Sequence, residues 1–177
     1  MFGKGRYAEA IIAYQRARLG ATDANQRVRA GAGEVKGILR MAGFSAAVDE
    51  AAALLESVPG HPQAMAVLGD ALWAAGRFLE AEATYSKVLT IDPNDARALH
   101  GLGRAMAARR QLDQALDTVR AAVARDPAEE AYLYTLADIY ERLKQYERAI
   151  DVYEMVPAKS PLRNNADVQS ALILEAG

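Results

Sequence analysis

Residues 62–95 read PQAMAVLGDALWAAGRFLEAEATYSKVLTIDPND. Met65, Leu68, Gly69 and Leu72 step by three, one and three, which puts them on one face of a helix. Gly76 interrupts that pattern where a left-handed residue would end the helix. Phe78, Ala81, Tyr85 and Val88 then step by three, four and three, a second helical face. Asp92-Pro93-Asn94-Asp95 closes the stretch. Proline cannot continue a helix, and Asn94 or Asp95 is suited to cap the next one. The segment therefore predicts two amphipathic helices joined by a tight turn.

The same plan recurs on both sides. Pro59, Pro93, Pro127 and Pro161 are each 34 residues apart. Three further columns keep that step: Ala47, Ala81, Ala115 and Ala149; Phe44, Phe78, Leu112 and Tyr146; Leu54, Val88, Ala122 and Val156. Leu68, Leu102 and Leu136 form another, each followed by a small residue, Gly69, Gly103 and Ala137. A fixed period of this length marks a repeat array. The expected organisation is a single repeat domain over 1–177. Its clear repeats are 62–95, 96–129 and 130–163, with a degenerate repeat at 28–61, a partial one at 1–27 and a terminal helix at 164–177. In 28–61 Glu34 stands where Leu is expected. The stretch from Gly5 through Tyr14 and Ala17 reads as a second helix lacking its first, with a longer connection near 21–25. The opening half-repeat and the unpolar closing residues Leu172, Ile173 and Leu174 lead us to expect a piece of a longer chain.

Composition narrows the chemistry. The chain is 51% hydrophobic and 25% charged, and its net charge is −2. Such a balance disfavours a dedicated nucleic-acid binder, which carries a basic excess. The repeat at 96–129 does sum to +2, but its neighbour at 62–95 sums to −3. The absence of cysteine excludes disulfides, thiolate metal sites and cysteine nucleophiles. It leaves the compartment open, with the cytoplasm as the default and the periplasm still allowed. No apolar run approaches a membrane span, so direct membrane insertion is not expected, and the first ten residues hold no apolar signal-peptide core. Only His61 and His100 are present. His61 reads as an exposed turn residue, and His100 as a surface helix residue with a secondary claim to ligand contact.

The motifs that carry chemistry are weak. Gly101 and Gly103 begin like a dinucleotide fingerprint but lack its third glycine and follow no strand. Gly31, Gly33 and Gly37 have the wrong spacing for it. Paired carboxylates such as Asp49-Glu50 and Glu129-Glu130 are adjacent in sequence and cannot converge on one helical face. We expect no catalytic residue, no metal and no cofactor. The alanine-rich run 46–55 has no basic residue or aromatic anchor, so it reads as helix packing rather than membrane binding.

The repeat resembles the tetratricopeptide family, through Met65, Leu68, Gly69, Leu72, Ala81, Tyr85 and Pro93 in the first clear unit. The next matches through Leu99, Leu102, Gly103, Met106, Ala115 and Pro127, with Val119 at the aromatic place; the last through Leu133, Leu136, Ala137, Tyr140, Ala149, Tyr153 and Pro161. The resemblance implies an all-α, right-handed superhelical solenoid of antiparallel helix pairs. It also implies that first helices line a concave groove. Carried over position by position, the groove residues are Gln63, Asp70, Trp73, Arg97, His100, Arg104, Tyr134, Asp138 and Glu141, beside Ala66, Ala107 and Ala131. Trp73 reads equally as a groove residue or as packing between repeats. The implied function is a protein–protein interaction scaffold that holds a peptide or helix. Ala66 and Asp70 stand where the chaperone-tail clamp of one subtype needs Lys and Asn, which disfavours that subtype. Two other readings stay open: a regulatory or docking part of a larger enzyme, and a homo-oligomer assembled through repeat ends.

Overall fold

Ten α-helices and no strand make up the described residues, 2–160 and 162–176 of the computed structural model. They are α1 (Phe2–Leu19), α2 (Ala24–Arg40), α3 (Phe44–Ser57), α4 (Pro62–Ala74) and α5 (Phe78–Ile91), then α6 (Ala96–Ala108), α7 (Leu112–Arg125), α8 (Glu130–Arg142), α9 (Tyr146–Glu154) and α10 (Arg163–Ala176). Pro161, the last of the proline column, lies outside the described residues. The three clear repeats of the sequence become α4–α5, α6–α7 and α8–α9. The chain divides into two units, residues 1–91 and 92–177.

In the first unit each helix packs on the next, and α2 also touches α4. In the second, α6 to α10 pack in the same sequential way, and α6 also touches α8. The alanine column sets the closeness of the pairs: Ala47, Ala81, Ala115 and Ala149 are each 0% exposed. Glycine does the same from the first helix. A Cβ on Gly69 would lie 2.7 Å from the Tyr85 ring, and one on Gly103 would lie 2.4 Å from Val119. The column Leu54, Val88, Ala122 and Val156 is buried as well.

The turns follow from the sequence, with one departure. Gly76 has φ +75°, but the equivalent places hold Ala42 at 61°, Arg110 at 64° and Lys144 at 60°. A side chain in that region costs about 1 kcal/mol. The closing hydrogen bonds recover it: the amides of Gly43, Arg77, Gln111 and Gln145 donate to the carbonyls of Ile38, Leu72, Met106 and Tyr140 at 2.8–3.1 Å. Asp95 caps α6 by accepting from the amide of Ala98 at 2.7 Å.

The degenerate first half of 28–61 forms α2, 17 residues capped by Asp23, after a connection at Gly20–Asp23. One expectation is corrected. His61 is not a free turn residue: it is half-buried, and its Nε2 lies 3.0 Å from Oδ1 of Asn25, which ties the start of α2 to the start of α4. At the other end, α10 turns Ala166 and Ile173 inward and leaves Val168, Leu172 and Leu174 exposed.

The packing gives a direct test. Ala115→Leu forces three extra carbons into a contact with no exposed surface, and should lower stability by about 1–3 kcal/mol. Chemical denaturation of the two proteins measures it. Unchanged stability would mean that α6 and α7 do not cross at Ala115.

Candidate functional site

The residues expected to bind a partner lie on three first helices, α4, α6 and α8. On α4, in the first unit, Gln63 is exposed near the N-terminus of the helix. Asp70, two turns on, accepts a hydrogen bond from the Tyr85 hydroxyl at 2.6 Å. Trp73 is half-buried, its ring tilted against Phe78 with centroids 6.2 Å apart. Ala66 is buried, so it adds no surface to this face.

In the second unit α6 and α8 lie side by side and are stitched together by polar contacts. His100 Nε2 and Thr135 Oγ1 are 2.8 Å apart. Arg142 donates to the carbonyl of Ala107 at 2.6 Å. Arg97, His100 and Arg104 repeat along α6 at helical spacing, and Tyr134, Asp138 and Glu141 along α8. Arg97, Arg104, Tyr134 and Glu141 are half-buried and Asp138 is exposed.

The structure moves His100 away from the surface reading. It is only 8% exposed, and its ring sits 4.6 Å from that of Tyr132. It therefore offers a partner little area and serves the α6–α8 contact. Ala107 is buried in the same way. Asp138 forms an ion pair with Arg142 at 3.6 Å, one turn along its own helix. Tyr134 packs edge-on against Tyr153, with centroids 5.3 Å apart.

The sequence reading missed the ties that second-helix tyrosines make to this face. Tyr153 on α9 is buried, and its ring meets that of Tyr134. Glu34 was also missed as anything but an irregularity; it is fully buried on α2. Among the described residues no group of three or more His, Asp or Glu is placed to hold a metal, and no helix is long and apolar enough to cross a membrane.

Sequence models of the tetratricopeptide repeat match residues 39–96, 72–134 and 106–172. No curated protein matches the chain significantly. Among solved structures, a thermophilic TPR protein of Thermus thermophilus superimposes with a TM-score of 0.81 at 19% identity, covering 98% of this chain and 93% of that one. MamA superimposes with a TM-score of 0.67 at 21% identity, over 80% of this chain and 83% of the other. A MamA fragment from Desulfovibrio magneticus RS-1 gives 0.61 at 21% identity, covering 85% and 91%. These likenesses establish the fold.

Tyr153 gives the site a titratable signature. Burial first, and then the charge of Glu141, raise its pKa above the ordinary 10.0. The unfolded chain releases this proton near pH 10.0, while the folded chain holds it to higher pH. The stabilising contribution is therefore complete below 10.0 and lost as pH rises further. Tyr153→Phe should make the alkaline fall of stability shallower than in the parent. Denaturation midpoints between neutral pH and the alkaline limb measure this; parallel curves would place the Tyr153 hydroxyl in water.

Proposed function

The chain belongs to the tetratricopeptide repeat family, and from that premise we propose that it is a non-catalytic scaffold that holds a protein partner. The partner lies as a peptide or helix against the first-helix face. Helix-in-groove and extended-peptide recognition both reuse such a surface. The supporting observation is the α6–α8 face of the second unit. Its core needs the apolar columns only, yet the face presents Arg97 and Arg104 from one helix beside Tyr134, Asp138 and Glu141 from the next. Opposite charges on adjacent rows select the register of a partner more than they raise raw affinity. Arg and Tyr are favoured anchors because each combines contact area with hydrogen-bond donors. In the first unit, Gln63, Asp70 and Trp73 of α4 make the corresponding face. Nothing in these rows assembles a nucleophile, a base and an oxyanion site, which is why we read the face as a binding surface.

The test compares two charge reversals against a partner recovered by pull-down. Arg104→Glu, on α6, should weaken binding by about tenfold or more, because it sets like charge against the partner's carboxylate. Arg120→Glu, exposed on α7, should change affinity by no more than about twofold. Titration of both variants, with folding checked by circular dichroism, decides the matter. Equal losses, or loss only from Arg120→Glu, would move the binding surface to the second helices.

A further inference from the structure

Glu34 is a carboxylate at a place where this repeat expects leucine, and it is 0% exposed. Its Oε1 accepts a hydrogen bond from Nε2 of Gln15 at 2.7 Å. Its Oε2 accepts none; the nearest cation is Nε of Arg18, 3.5 Å away. Arg18 spends its better-placed nitrogen on Glu50 of α3. Both partners of Glu34 come from one helix, α1. A buried carboxylate oxygen without a hydrogen bond is costly, so the α2 face is incompletely satisfied even with α1 in place.

The helix that covers this face packs closely on α2, and its tie to α3 is the Arg18–Glu50 pair. None of the described side chains of α1 is buried, and Ile12, Tyr14 and Leu19 are exposed. Its close contacts fall on two glycines of α2, one helical turn apart. A Cβ on Gly33 would lie 2.4 Å from the ring of Tyr14, and one on Gly37 would lie 2.7 Å from Ile11. A cleft of about 330 Å³ remains along the same seam, lined by Tyr7, Tyr14, Gly33, Lys36 and Gly37 among others. The α2 face thus combines a glycine floor for an aromatic ring and an aliphatic side chain with a dry carboxylate beside them. Tyr14, Gln15 and Arg18 address it at i, i+1 and i+4 of α1.

We propose that this face of α2 is a docking site for a helix that presents an aromatic ring and, four residues later, an arginine, and that α1 is its built-in, displaceable occupant. The site is separate from the first-helix rows of the preceding subsection. It selects a guanidinium because Glu34 has no water to turn to once a helix covers it. A partner arginine not shared with Glu50 satisfies Oε2 better than Arg18 does.

The experiment keeps the full chain and uses a labelled peptide of residues 2–19 as the probe. Arg18→Ala in the chain removes the resident cation and loosens α1, while Arg16→Ala, on an exposed position of the same helix, serves as control. The peptide should bind the Arg18→Ala chain saturably. Binding should fall by about tenfold or more when the peptide itself carries Arg18→Ala, and again when the chain also carries Glu34→Leu. The Arg16→Ala chain should bind no better than the parent. Hydrogen exchange on the unmodified chain is the second measurement: the central amides of α1 should exchange at least about tenfold faster than those of α3. Absence of saturable binding to a folded Arg18→Ala chain, or binding indifferent to Arg18 and Glu34, would overturn the proposal. If Arg18→Ala fails to fold, the exchange result decides alone, and α1 as protected as α3 would make it a permanent part of the fold.

Discussion

The distance between paired helices is the constraint on which everything else depends. It is set by side chains that are almost absent. Ala47, Ala81, Ala115 and Ala149 carry one carbon each at the crossing, and Gly69 and Gly103 carry none where Tyr85 and Val119 enter. Close approach lets one helix bury the apolar stripe of the next without large residues. Few of the fully buried side chains are accordingly bulky, and Tyr85 and Tyr153 are the largest of them. Backbones this near leave turns of only a few residues. That is why Arg110, Lys144 and Ala42 accept a left-handed conformation that glycine would take without strain.

The helices α4 to α9 were legible because their apolar positions and breakers repeat at one period and agree with each other. Gly76, Asp95, Ala81 and Ala115 each land in the role that spacing gives them. The first helices of the chain were harder to read for a physical reason. Glu34 breaks the apolar pattern of α2, so a reading based on burial marks the helix as degenerate. In fact a carboxylate there is tolerated because Gln15 brings a donor and Arg18 a positive charge to it from α1. The glycines of α2 were equally opaque. Gly31, Gly33 and Gly37 have the wrong spacing for a dinucleotide fingerprint, and only the structure shows Leu54, Tyr14 and Ile11 pressed against them.

The candidate site was legible as positions but not as environments. The family resemblance assigned Arg97, His100 and Arg104 to one row and Tyr134, Asp138 and Glu141 to another, and each row lies on one helix of the structure. What spacing cannot give is which member of a row is closed off by the adjacent helix. His100 is, because Thr135 and Tyr132 on α8 reach it. Asp138 is not: it stays exposed on α8 and pairs with Arg142 of its own helix.

The order of charges along these rows has an internal cause as well as an external use. Where the second helix offers Tyr85, the first helix offers an acid, and Tyr85 donates to Asp70. Where the second helix offers Val119 there is no hydroxyl to receive, and the position of Asp70 is taken by Arg104. The acid at 70 therefore holds its own helix pair together before it meets any partner, and the Tyr85 hydroxyl buried near it escapes the cost of an unmade bond. No tyrosine–acid pair dictates an acid at 104. The repeat is thereby released from carrying a negative charge at that step of the row, and a basic residue can stand there without orphaning a buried hydroxyl. The alternation of sign between α4 and α6 is thus permitted by the exchange of one aromatic residue for valine on α7.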